Sequence, residues 1–143
     1  LIQQYPNVIY LEDSGVEIEG FKIWGSPYVP WFGNWAFMEA DWMLRPRWDM
    51  IPPNTDILIT HGPAKYMLDR ERRGKNVGSE ELRSRLIRLS NLKLHVFGHI
   101  HEDYGYLGAL EEMEKEFVAV NASVVDLSYR VVNKPITVNL KSK

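Results

Sequence analysis

The sequence predicts an α/β protein with a parallel sheet at its centre. Two apolar runs of strand length, 56–60 and 92–97, flank an amphipathic helix over 79–90. A strand, a crossover helix and a second strand form a βαβ unit, in which the two strands run parallel and can be neighbours. The length of 143 residues fits one compact domain, so we treat 1–143 as a single domain.

The helix has local features that predict both its start and its buried face. Ser79 is a good N-cap because its hydroxyl can accept a free backbone N–H, and two glutamates follow where negative charge is favourable. Leu82, Leu86 and Leu89 fall at spacings that place them on one side of a helix. We therefore expect this apolar side to pack on the sheet.

The N-terminal part predicts a small antiparallel meander. Residues 8–11 predict a short strand, 13–15 are typical of a turn, and 16–19 alternate like a half-exposed strand that leads into 21–24. The chain begins with Leu1, and its first residues are typical of the end of a helix. We therefore expect a segment of a longer protein.

Residues 28–53 predict a long loop with short helical turns, because prolines and glycines interrupt every regular pattern. Seven aromatic residues lie in this stretch: Tyr28, Trp31, Phe32, Trp35, Phe37, Trp42 and Trp48. Two compatible interpretations are open. The rings pin the loop to the body of the domain, or one or two of them wall a pocket and stack on a planar group such as a nucleobase.

The rest of the chain adds loops and two strands. Residues 65–78 are rich in charge and predict a solvated loop, with the alternative that an arginine or lysine here binds a phosphate. A loop is expected at 104–108, followed by an acidic stretch at 111–116. Strands are expected at 117–120 and 136–140.

Three of the four histidines directly follow the two strands of the βαβ unit. His61 comes after the first strand, and His99 and His101 come after the second. Because parallel neighbours end at the same edge of a sheet, these imidazoles are expected to meet there, and imidazole is a common metal ligand. His99 and His101 could address two metals. His95 lies inside the strand and is expected to be a packed core residue.

Composition excludes several classes of protein. The net charge is −2 and the isoelectric point is near 6.1, which argues against nucleic-acid binding driven by bulk charge. The absence of cysteine excludes disulfides and thiolate-ligated zinc. No apolar run approaches the roughly 18 residues of a membrane span, so no membrane association and a cytoplasmic location are expected.

The motifs Thr60–Pro63, Gly98–Glu102 and Asn121–Ser123 resemble the second half of the calcineurin-like metallophosphoesterase superfamily. Residues 21–27 and 31–37 are similar to the MPPED type (metallophosphoesterase-domain-containing) of phosphodiesterase. The resemblance implies the C-terminal half of a four-layer α/β/β/α sandwich. It also implies a hydrolase of phosphodiesters such as cyclic nucleotides, in which hydroxide held between two divalent metals attacks phosphorus.

The resemblance implies roles for particular residues. His61 and His99 would ligate one metal and His101 the other, the metals being Mn, Fe or Zn. Substrate-binding residues would be Trp31, Trp35, Tyr104 and Asn121. None of these positions is assigned as a catalytic acid or base.

The same resemblance implies that this half is incomplete. The family's Asp-x-His, Gly-Asp and Gly-Asn-His motifs, which carry the other metal ligands, are not in this sequence. We therefore expect partial or no metal occupancy in this chain alone, no activity in isolation, and an apolar sheet face covered by an N-terminal half or by self-association. The alternatives are a non-catalytic dimerising or binding half-domain, and one half of a split enzyme.

Overall fold

The computed structural model describes residues 5–108 and 116–141; the predicted helix end at the start of the chain and most of the acidic stretch lie outside these ranges. The strands are β1 (Ser14–Ile18), β2 (Phe21–Ser26), β3 (Val29–Pro30), β4 (Met38–Glu39), β5 (Ile57–Thr60), β6 (Leu94–Phe97), β7 (Gly105–Leu107) and β8 (Val118–Asn121). The helices are α1 (Arg45–Asp49) and α2 (Glu80–Arg88), with 3-10 turns at Asp41–Met43 and His101–Asp103.

Six strands form one mixed sheet in the order β1-β2-β5-β6-β8-β7. The four central strands β2, β5, β6 and β8 are parallel, and the two edge strands β1 and β7 are antiparallel to their neighbours. The predicted α/β class and the β5–α2–β6 unit are therefore confirmed. The four-layer sandwich stays a prediction, because the described residues contain this sheet, the small β3–β4 pair and few helices.

The hairpin β1–β2 confirms part of the predicted meander. Its loop is Glu19-Gly20, between the paired residues Ile18 and Phe21, and both loop residues have positive φ, +51° and +79°. Two consecutive left-handed residues make the turn whose twist matches a two-residue hairpin. The turn expected at 13–15 is confirmed only at Asp13, which lies in a bend with φ +43°, because Ser14 and Gly15 are already paired with β2.

Helix α2 begins and packs as predicted. The Ser79 hydroxyl accepts the Leu82 N–H at 2.9 Å, and the Asp41 carboxylate accepts the Glu80 N–H at 2.9 Å. Leu82, Leu86 and Leu89 are buried in the main core. This core also contains side chains from α1, β5, β6 and β8, including Trp48, Leu58, Phe97 and Ala119. No helix in the described ranges is long and apolar enough to cross a bilayer.

Three expectations need correction. Residues 105–107, expected in a loop, form β7 because they pair with β8. Residues 8–11 and 136–140, expected as strands, have no ladder partner within the described chain. Alternating apolar residues favour a strand only where a neighbouring strand is available to pair with.

The loop over 28–53 has the expected short elements, but most of its aromatic rings do not pin it. Trp31, Phe32, Trp35 and Trp42 are all more than 60% exposed, whereas Trp48 is buried. The loop is held instead by Arg47, which lies 3.4 Å from the centroid of the Tyr28 ring and forms ion pairs with Asp13 and Glu39.

Candidate metal centre

Parallel pairing of β5 and β6 brings two of the predicted ligands together. His61 and His99 lie just past the carboxyl ends of these strands, and their ring centroids are 4.7 Å apart. The backbone continues the ladder at this point: His61 N donates to Ser26 O at 3.3 Å, and Gly98 N donates to His61 O at 3.0 Å. The sheet itself therefore positions the imidazole pair.

His99 adopts a left-handed backbone conformation with φ +71°. Ile100 N donates to Gly98 O at 2.8 Å, which closes a three-residue turn around His99. Non-glycine residues rarely adopt such conformations, and those that do are concentrated at functional sites. The turn interrupts the strand, so His99 and His101 do not share one side as they would in a regular strand.

Gly62 allows the β3 region to approach this edge. A Cβ atom at position 62 would lie 2.7 Å from Val29 Cγ2 and 3.8 Å from His99 Cδ2. Because the first distance is too short for real contacts, a side chain here would displace the loop beside the two histidines. This close approach explains why a glycine follows His61.

His101 contacts a different part of the chain from His99. Its Nδ1 lies 3.1 Å from Asp126 O, and its ring meets the Tyr129 ring edge to face at 5.6 Å. Because a carbonyl only accepts, Nδ1 carries the proton and Nε2 is left as the nitrogen that can bind a metal. Nothing in the sequence predicted that Asp126 and Tyr129 would contact His101.

The electrostatics of the pair favour neutral rings. Burial first, and then the nearby His61 and His101, together lower the pKa of His99 to about 4. Burial also lowers the pKa of His61. Both imidazoles are therefore neutral at pH 7 and have lone pairs available for a metal.

The donor set fits a divalent transition metal in part. Two neutral imidazole nitrogens suit Mn, Fe or Zn. Among the described residues, however, no group of three or more histidine or acidic side chains is placed to hold a metal ion. His61 and His99 could thus supply part of one metal position, whereas His101 does not form a group of three with them.

His95 is a core residue, as predicted. It is fully buried, and its Nε2 lies 2.8 Å from the Thr60 hydroxyl. Because that hydroxyl donates to Gly62 O at 2.7 Å, it accepts from His95, so the proton of the neutral ring is on Nε2. Burial lowers the pKa of His95 to about 3.

Asn121 lies at the end of β8 and is fully buried. Its Nδ2 donates to Ile100 O at 2.8 Å and to Leu68 O at 3.2 Å, while its Oδ1 accepts the Ser123 N–H at 3.1 Å. Ile100 lies between the two histidines of the second motif. Asn121 thus holds the backbone of that motif, and direct substrate contact by its side chain stays a prediction.

The loop over 28–53, which we name the aromatic loop, reaches the His61–His99 pair through the ring of Phe32, which was not among the predicted substrate-binding residues. Phe32 meets the His99 ring edge to face at 6.1 Å and the Trp35 ring at 6.2 Å. Trp31 and Trp35 are 71% and 63% exposed, so their faces are available to a ligand. The Tyr104 hydroxyl donates to Lys134 O at 2.5 Å. Substrate binding by Trp31, Trp35 and Tyr104 stays a prediction.

Known proteins resemble this chain strongly. It is 43% identical over 136 residues to metallophosphoesterase domain-containing protein 1 of Homo sapiens, and equally to that of Mus musculus; the match covers 94% of this chain. A UPF0046 protein of Caenorhabditis elegans is 41% identical over 100 residues, or 69% of this chain and 25% of that protein. No protein-family model matches. The chain spans about 40% of the length of the human and mouse relatives.

Proposed function

We propose, on the premise that this chain belongs to the metallophosphoesterases of the MPPED type, that it is the C-terminal part of a metal-dependent phosphodiesterase. The premise rests on the 43% identity over nearly the whole chain, which confirms the resemblance predicted from the motifs. One observation supports the finer proposal. Two neutral imidazoles, from His61 and His99, are in contact at the carboxyl edge of a parallel sheet, where α/β proteins bind their ligands.

The residues have separate tasks in this proposal. His61 and His99 would hold one divalent metal and His101 the other, with Mn, Fe or Zn as candidates. Divalent metals bound there supply Lewis-acid stabilisation of charge on the phosphoryl oxygens. The hydrogen bond to Asp126 O keeps Nδ1 of His101 protonated and orients its ring.

The proposed substrate is a cyclic nucleotide or a similar phosphodiester. Support comes from two exposed rings near Phe32, which contacts His99. Trp35 contacts Phe32 edge to face, and Trp31 directly precedes Phe32 in the chain. Indole faces stack on nucleobases without needing a particular base. A nucleoside bound on this loop would lie close to the imidazole pair.

We further propose that the open face of the sheet binds the missing N-terminal half. Ile9, Tyr10 and Ile59 are each more than 40% exposed, and a shallow groove of about 330 Å³ runs from them to His61. The human and mouse relatives are more than twice as long as this chain, so a counterpart of their remaining part is the candidate to cover this face. Self-association of this half, or a separate N-terminal chain, would use the same face.

Manganese binding and hydrolysis of a chromogenic phosphodiester by the intact protein test the proposed function. Substitution His99→Ala removes a ligand, so we expect at least a hundredfold loss of manganese affinity and of kcat/KM. The control is Asn34→Ala, an exposed residue of the aromatic loop. Unchanged turnover in His99→Ala would exclude this centre.

The same assay separates the alternatives. Turnover that appears only after an N-terminal half is added as a second chain would indicate a split enzyme. Absence of turnover from the intact protein with manganese, iron or zinc, together with a stable dimer, would indicate a non-catalytic dimerising module.

A further inference from the structure

Residues 69–78 form an ordered turn, which we name the basic hairpin, rather than the solvated loop expected from their charge. Arg70 and Asn76 pair as an antiparallel bridge, and Glu71 N donates to Lys75 O at 3.0 Å. Gly74 closes the turn with φ +77°, and its N–H donates to Glu71 O at 2.7 Å. The backbone of the hairpin is therefore fixed by its own hydrogen bonds.

A buried carboxylate fixes the base of the basic hairpin. Asp69 is fully buried, and its side chain accepts hydrogen bonds from Gly78 N at 2.8 Å and from the Asn76 amide. Val77 N donates to Asp69 O at 3.0 Å. A buried acidic group with several donors is a strong local anchor. The hairpin thus has a rigid base and an exposed tip.

The basic hairpin is fastened to the rim of the candidate metal centre through its backbone. Arg70 N donates to Asp103 Oδ2 at 2.8 Å, and Arg72 N donates to Glu102 Oε1 at 2.9 Å. Glu102 directly follows His101. Both contacts use main-chain N–H groups of the hairpin, so the arginine side chains are not needed to hold it in place.

Four cationic side chains project from this fixed backbone. Arg70, Arg72, Arg73 and Lys75 are exposed, and none of them forms an ion pair with another residue of the described ranges. Four carboxylates lie in the hairpin or against it, those of Asp69, Glu71, Glu102 and Asp103. Each accepts a backbone N–H of the hairpin, so these carboxylates are engaged with the main chain and not with the four cationic groups. Arginine is suited to phosphate because its planar donors match phosphate oxygens.

We propose that the basic hairpin binds a second phosphate group of the substrate, one that is not hydrolysed. This inference rests on the proposed function, because it takes the scissile phosphodiester to lie at the histidines. The substrate class is then a phosphodiester with at least one additional phosphate. The compact size of the patch and the net negative charge of the chain favour a small molecule over a long polyanion.

The first test measures anion binding without any catalysis. Inorganic pyrophosphate is titrated calorimetrically into the intact protein in EDTA, so that no metal contributes. The triple variant Arg72→Gln, Arg73→Gln, Lys75→Gln is expected to bind about tenfold more weakly, because three exposed ion pairs each contribute about twofold. The variant Arg72→Lys, Arg73→Lys keeps the charge and is expected to bind within about threefold of the parent.

A matched triple variant controls for total charge. Lys22→Gln, Arg45→Gln, Arg88→Gln removes the same charge from exposed positions on β2, α1 and α2, and pyrophosphate binding should stay unchanged. Equal binding by all variants, or no detectable binding by the parent, overturns the proposal. Because the substitutions spare the backbone contacts, the unfolding midpoint should change little in the hairpin variants.

The second test measures specificity with two nitrophenyl esters of thymidine 5′-phosphate, with and without a 3′-phosphate. The parent should have a higher kcat/KM for the 3′-phosphorylated ester, and the triple glutamine variant of the hairpin should lose this preference. Hydrolysis of both esters without preference overturns the assignment of a second phosphate. Pyrophosphate binding that depends on the hairpin, without hydrolysis of either ester, supports the anion site and contradicts the proposed function.

Discussion

Among single residues, the buried Asn121 holds the backbone of the second histidine motif in place. Its amide bonds Ile100 O, Leu68 O and Ser123 N, and thereby joins β8 to the second histidine motif and to the segment before the basic hairpin. The three contacts use both Nδ2 hydrogens and Oδ1. A buried group that is satisfied in this way is costly to truncate, because its partners lose their bonds away from water.

We expect Asn121→Ala to lower the free energy of unfolding by about 2–3 kcal/mol, since two carbonyls and one N–H lose their partner. Urea denaturation of both proteins measures the loss. The exposed Asn139→Ala is the matched control and should lie within about 0.5 kcal/mol of the parent. A similarly small effect for Asn121→Ala would contradict a positioning role.

His95 gives stability a specific dependence on pH. Its pKa is about 3 in the folded chain because of burial, whereas an unfolded histidine titrates near 6.5. Well above pH 6.5 the His95 ring is neutral in both the folded and the unfolded chain, so its titration does not make the free energy of unfolding depend on pH. As the pH falls from 6.5 towards 3, the unfolded chain gains a proton that the folded chain does not, and stability is lost.

The variant His95→Gln lacks this titration. The difference in unfolding free energy between parent and variant is expected to be constant above pH 6.5. Below pH 6.5 the parent should lose stability relative to the variant. The limiting slope is about 1.4 kcal/mol per pH unit. Urea denaturation at several pH values between 4 and 8 measures the difference. A difference that does not vary with pH would show that burial of His95 does not suppress its protonation.

At the scale of elements, the aromatic loop and the basic hairpin contact different residues at the second histidine motif. Phe32 contacts His99, whereas the hairpin contacts the turn that contains His101. Both elements are held by polar contacts at their base, from Arg47 in the loop and Asp69 in the hairpin. Their exposed side chains are therefore presented on fixed backbone.

Substitution Trp31→Ala or Trp35→Ala should raise KM for nucleotide diesters about tenfold, because stacking on a base is lost. KM for a small chromogenic diester should change much less. Steady-state kinetics on both substrates give the comparison, and Trp42→Ala, at an equally exposed ring, is the control. Equal effects on both substrates would mean that the rings are scaffold.

Elements with local features were predictable from the sequence, and those that depend on neighbours were not. Helix α2 was predicted because Ser79 and the leucine spacing are local, and the meeting of His61 and His99 followed from parallel pairing. Residues 105–107 contain a glycine and looked like a loop, but β8 offers them a ladder. Residues 136–140 alternate like a strand without such a ladder in the described ranges.

The sequence could not identify contacts between distant loops. Phe32 beside His99, Tyr129 beside His101, and the backbone bonds from the basic hairpin to Glu102 and Asp103 depend on loop paths that no periodicity encodes. The charge of 65–78 suggested solvent exposure, yet Met67 and Asp69 are fully buried. Loop side chains of this kind are found only once the backbone is known.

At the scale of the whole molecule, the sheet has one covered and one open face. Helix α2 and α1 cover the first, whereas the second exposes Ile59 beside the segment that contains Ile9 and Tyr10. Exposed apolar surface of this kind is typical of an interface. Its position next to His61 would place an occupant of the face at the candidate metal centre.

We expect Ile59→Lys to weaken association through this face, whether with an N-terminal half or with a second copy, by at least tenfold. A charge placed in an apolar interface loses its hydration without gaining a partner. Sedimentation velocity over a range of concentrations measures the change. Ile87→Lys on α2 is the control, because both isoleucines are 43% exposed. Identical association by the two variants would exclude the face.

The left-handed turn at His99 sets folding and ligand binding against each other. A glycine would adopt φ +71° without steric strain, so folding free energy alone favours a residue with no side chain at this position. Imidazole is therefore present at a point where the backbone would be more stable without it. If His99 binds a metal as proposed, the requirement for a ligand at position 99 opposes the requirement for an unstrained backbone there.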